Sequence, residues 1–145
     1  MREGIHSIVA SLLMLWSISC APAALQSNGV LVVAHPDTPM FDEQTLQKIY
    51  LGKIVEIDGR PIIPVNMTRG STMRKTFMEK ILAQDDEKFT AYWTVRRYIG
   101  KGSPPREFLS VEEQLEYLRK TPGAIGYLDE SLESKTGLKT MLKKP

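Results

Sequence analysis

Residues Val65–Phe77 read VNMTRGSTMRKTF, and they are pivotal for the fold because their pattern predicts that a strand ends and a helix begins inside them. Upstream, Ile62–Val65 is a short apolar run of strand composition. Downstream, Met73, Phe77, Ile81 and Leu82 recur at helical spacing. Ser71 is an N-cap residue type, and Gly70 before it leaves the backbone open to close approach. A strand that feeds an amphipathic helix through a short turn is the building unit of an α/β protein.

The flanking chain repeats that alternation. Leu31–Ala34 is a continuous apolar run suited to a strand buried on both faces, and His35-Pro36-Asp37-Thr38-Pro39 breaks it into a loop. Asp42 opens a first helix with Leu46, Ile49 and Tyr50 on one face and Gly52 at its end. Asp58-Gly59 marks a hairpin turn between Ile54–Ile57 and Arg60–Ile63. Pro61 and Pro64 predict that the strand entering the opening segment is interrupted or lies at an edge. Asp85 caps a third helix carrying Phe89, Tyr92 and Trp93, and a turn-rich loop follows at Gly100–Pro105. Ser110 with Glu113 forms a capping box for a fourth helix, with Val111, Leu115 and Leu118 as its stripe. Ala124–Leu128 is a last clear strand; the lysine-rich tail after Ser131 gives no signal. The expected class is α/β, one lobe, with a small mixed, mostly parallel sheet flanked by helices.

Bulk properties narrow the function. The chain has 145 residues, enough for one domain and not two. A net charge of +2, with lysines and arginines scattered, gives no footprint for nucleic acid. Arg2, the apolar run Ile8–Ile18 and the small residues Ala21-Pro22-Ala23 predict a signal peptide over 1–23, a mature domain over 24–145, and a periplasmic or secreted location. Lipid attachment at Cys20 is the alternative, although Ser17 stands where the usual pattern has leucine. Past Ala23 there is no cysteine and one histidine, His35, so the sequence offers no metal site, no cofactor site and no catalytic constellation. Asp85-Asp86-Glu87 sits at a helix start, where acids complement the dipole.

The opening segment is the candidate ligand site. A helix start presents unpaired amides and the positive dipole end. Ser71 and Thr72 add hydroxyls, and Arg69 and Arg74 add forked cationic donors suited to a tetrahedral oxyanion. Arg74, three residues beyond Ser71, is expected to lean back over the first turn. The plain reading is an N-cap serine with two solvated arginines.

Several segments resemble the phosphate-binding proteins of bacterial ABC importers. Leu46–Ile54, LQKIYLGKI, is similar to their IFLGKI segment, and Pro122–Tyr127, PGAIGY, matches their PGAIGY strand. Gly70-Ser71-Thr72 falls where that family has S-G-T at a phosphate-binding helix start, and Ser71-x-x-Arg74-x-x-Phe77 fits its short members. The resemblance implies a single periplasmic-binding-protein type 2-like lobe for phosphate or a similar oxyanion, with a membrane transporter or second protein able to cover the open side. It implies Ser71 as hydroxyl donor, Arg74 as charge partner, Arg69, Gly70 and Thr72 in the cradle, and Thr38 from the first loop. The family's Asp-Gly before S-G-T is replaced here by Thr68-Arg69, so the carboxylate that would accept a phosphate proton is missing. The competing expectation is a non-catalytic envelope interaction module that kept the lobe and lost the ligand.

Overall fold

The structure is a computed structural model that describes residues 29–145; the predicted signal peptide and Cys20 lie outside the described residues. Five strands form the main sheet in the order β5-β4-β6-β1-β7: β1 (Val30–Ala34), β4 (Ile63–Met67), β5 (Arg106–Phe108), β6 (Ala124–Asp129) and β7 (Lys139–Lys144). β4 runs parallel to β5 and β6, whereas β1 is antiparallel to both β6 and β7. Four strands therefore point one way and β1 opposes them, the mixed, mostly parallel sheet expected from the sequence. A separate ribbon of β2 (Glu56–Ile57) and β3 (Arg60–Pro61) surrounds the Asp58-Gly59 turn.

Helices cover both faces, and β6 shows why. Tyr127 stacks on Phe77 at 3.9 Å between ring centroids, while neighbouring Gly126 sits against Leu118 and Gln114. Successive strand residues point to opposite faces, so Phe77 and its helix α2 (Thr72–Phe77) lie on one side. Helix α4 (Val111–Lys120) lies on the other. α1 (Glu43–Tyr50) and α3 (Asp86–Tyr98) join the α2 side, where Tyr50 Oη donates to the Val65 carbonyl at 2.8 Å and Trp93 Nε1 to the Tyr50 carbonyl at 3.2 Å.

The expected caps form. Asp42 accepts from Thr45 N at 2.8 Å, Asp85 from Lys88 N at 2.7 Å and Ser110 from Glu113 N at 3.2 Å. Four details differ from the sequence reading. α2 passes into a π-helical segment, Met78–Leu82, that turns Met78, Ile81 and Leu82 into the core. The strand is interrupted at Ile62, as the prolines predict, but Pro64 sits inside the sheet and not at its edge. It pairs with Ile125 of β6, but β5 begins only opposite Val65, so the missing N–H faces a gap. β5, only three residues long, forms just after the Gly100–Pro105 loop, where the sequence reading placed no strand. The tail forms a 3₁₀ turn, Glu130–Lys135, and then β7, whose lysines guard an exposed edge.

Candidate functional site

The opening segment leaves β4 at the carboxyl end of the parallel strands, the edge where open α/β sheets hold ligands. Thr68 N still donates to Phe108 O at 2.9 Å. Gly70 then takes φ +81° with open space where a Cβ would stand, a conformation that glycine adopts without strain. Ser71 is the N-cap of α2: its Oγ accepts from Arg74 N at 3.2 Å, and its own amide donates to Thr68 O at 3.3 Å. The Ser71 hydroxyl proton remains available. The amides of Thr72 and Met73, the first two of the helix, have no acceptor among the described residues. Thr72 and Arg69 are exposed, and Arg69 Nη2 donates to Thr90 Oγ1 at 2.9 Å.

Arg74 is placed differently from the expectation. It leans back toward the strand, yet its fork closes on the protein itself. Nε donates to Asp86 Oδ1 at 2.7 Å, and Nη1 donates to Met67 O at 2.9 Å and Glu107 Oε1 at 2.6 Å. Nη2 lies 2.7 Å from the same Asp86 oxygen. Only 2% of the residue is exposed. Burial opposes the charge, but Glu107 and Asp86 outweigh it and hold the guanidinium above its ordinary range. Arg74 is thus a clamp joining α2, α3, β4 and β5. A guanidinium already in contact with two carboxylates is a poor partner for a third anion.

Thr38 is also not brought to this place. It follows β1, whose last residue Ala34 pairs with Ile125, and His35 N donates to Ala124 O. Ala124 pairs with Ile63 at the start of β4, so the length of β4, roughly 13 Å at ~3.3 Å per residue, separates Thr38 from Ser71. Its buried hydroxyl lacks a partner and borders a different cavity of about 360 Å³ with Asp37, Arg60 and Gly123.

A second group beside the segment was not legible as a site. Thr90, Trp93, Thr94 and Arg97 of α3 line a cleft of about 110 Å³ together with Arg69, Arg74, Glu107 and Pro104. Their spacing, residues 90, 94 and 97, was the available signal, because i, i+4 and i+7 share a helix face. Among the described residues, no cluster of three or more acidic, histidine or cysteine side chains could hold a metal, and no helix is long and apolar enough to cross a membrane.

Neither a protein-family model nor a curated protein sequence matches the chain. Solved structures do. PstS from Borrelia burgdorferi superposes with a TM-score of 0.59 at 17% identity, over 78% of this chain and 46% of its own. An ABC-type phosphate transport receptor from Vibrio cholerae gives 0.59 at 16% identity, over 78% of this chain and 45% of its own. The chain therefore spans less than half the length of these neighbours, and at such identities the likeness is one of fold. What it carries is the fold of the phosphate ABC transporter substrate-binding proteins.

Proposed function

We propose that this chain recognises phosphate or a related oxyanion without turning it over, as an exported solute-binding-like protein linked to phosphate ABC import. The observation that carries the reading is the pair of unoccupied amides at Thr72 and Met73. They stand beside Arg69 at the carboxyl edge of the sheet, in a fold shared with phosphate receptors. Gly70, the Ser71 hydroxyl and the Thr72 hydroxyl complete the donor set, while Arg74 supports the loop from behind. One side of such a site stays wet, so its contacts are screened and its affinity modest unless a transporter or second protein covers it.

Calorimetry with inorganic phosphate and sulfate at low salt tests this. Binding is expected to weaken with added salt and to fall roughly three- to tenfold in Arg69→Gln. An absence of binding heat with either ion in the unmodified chain refutes the proposal.

A second reading, an interaction module without a small ligand, is favoured by the apolar end of α3. Val95, Tyr98 and Ile99 are 60%, 91% and 54% exposed there. A Tyr98→Ser/Ile99→Ser variant that loses a defined envelope partner, in a chain that binds no anion, supports that alternative.

A further inference from the structure

We propose that the bound oxyanion sits in the cleft between the Arg69 turn and the outer face of α3, held by Arg69 and Arg97 with the Thr90 hydroxyl, and not on the helix start alone. This rests on the oxyanion reading above and specifies where the ion lies.

Charge is the first reason. Three arginines line the cleft, Arg69, Arg74 and Arg97. The two carboxylates nearby, Glu107 and Asp86, are both spent on Arg74. Among the described residues Arg69 meets only a neutral threonine, and the Arg97 side chain has no hydrogen bond or ion pair. Its neighbour Arg96 is tied down through both terminal nitrogens, donating to Gly52 O at 3.1 Å, Lys101 O at 3.0 Å and Tyr92 Oη at 3.3 Å. A helix C-terminus favours a cation there. It gives no reason for that cation to share a small cleft with a second unpaired guanidinium, a repulsive arrangement that an anion relieves.

Hydrogen-bond capacity is the second. Thr90 Oγ1 accepts from Arg69, so its own proton is left for a ligand oxygen. The Thr94 proton is already donated to the Thr90 carbonyl at 2.8 Å, so Thr94 serves as wall. Phe89, Trp93 and Pro104 supply the apolar remainder of the lining. The cleft, about 110 Å³, is small and partly open, which suits a tetrahedral oxyanion or the head of a phosphomonoester whose remainder points outward.

The experiment is a titration of the full chain with inorganic phosphate, followed by calorimetry and by ¹H–¹⁵N NMR of backbone amides and arginine Nε–H groups. The unmodified chain is compared with Arg97→Gln and Glu107→Gln. Arg97 is exposed in the last turn of α3, so its replacement leaves the fold intact, as a thermal melt can verify. The expected result is a shift of the Arg97 and Arg69 Nε–H signals, an affinity lowered roughly tenfold by Arg97→Gln, and one raised about threefold by Glu107→Gln, which removes the competing charge. Binding that Arg97→Gln leaves unchanged, with shifts confined to the Thr72 and Met73 amides, overturns the cleft while leaving the proposed function standing. No binding by the unmodified chain overturns both.

Discussion

Replacing Arg74 by alanine tests the clamp that ties four elements together. The substitution removes hydrogen bonds to Asp86, Glu107 and the Met67 carbonyl and uncovers the Phe89 ring, 5.9 Å from the guanidinium carbon. Breaking a fully buried ion pair costs about 3–5 kcal/mol. Here the Asp86 and Glu107 side chains are 33% and 41% exposed and regain water, so their share is discounted. The Met67 carbonyl belongs to a residue only 5% exposed; leaving it unpaired adds about 1–3 kcal/mol. The expected loss is about 3 kcal/mol. With a urea slope of about 2 kcal/mol per molar, the unfolding midpoint falls by roughly 1.5 M. Arg74→Lys recovers only part, because one ammonium nitrogen cannot reach acceptors spaced to fit the three nitrogens of a guanidinium. In a double-mutant cycle, Glu107→Ala is expected to cost about 1 kcal/mol less on the Arg74→Ala background than alone. A midpoint drop under about 0.5 M with an unchanged slope, or no coupling to Glu107, refutes the clamp.

Gly123→Ala places a Cβ 2.1 Å from the Pro61 carbonyl oxygen at φ +79°. It should cost more than about 3 kcal/mol by denaturation, against about 1 kcal/mol for Gly137→Ala, which meets nothing at φ +63°. Burial pushes the Tyr50 and Tyr127 hydroxyls well above the usual phenol range. A raised folded-state value means that this stability is intact below pH ~10 and is lost as pH rises further. Ultraviolet titration should therefore show their ionisation only together with alkaline unfolding, and a reversible titration in the folded state contradicts the packing. The Asp42 carboxyl is held below its ordinary value by its hydrogen bonds with the Thr45 side chain and amide. Its stabilisation is present above pH ~3.9 and lost as pH falls through the lower folded value. Asp42→Asn, which caps comparably, should leave neutral-pH stability unchanged and flatten the acid limb of a stability–pH curve.

Elements whose signals are local were readable from the amino-acid order alone. Asp42, Asp85 and Ser110 cap helices because a side-chain oxygen needs only the amides two or three residues on. Asp58-Gly59 turns a ribbon for the same reason, and the runs Val30–Ala34 and Ala124–Leu128 are apolar throughout because both faces are covered. Tertiary structure decided whatever depended on distant partners. β5 and β7 have little propensity of their own and exist because β4 and β1 offer free edges. Pro64 is accepted inside the sheet because β5 starts one residue later. The site divides along the same line. The Gly70-Ser71 helix start was legible, as its geometry is made by adjacent residues. The fate of Arg74 was not, because Asp86 and Glu107 reach it from twelve and thirty-three residues away, and a guanidinium goes wherever the nearest carboxylates are held. Thr38 and Ser71 look like partners in a linear reading, yet the direction of β1 sends them to opposite edges. Arg97 and Thr90 look like ordinary surface residues of a helix until α3 lies beside the Arg69 turn.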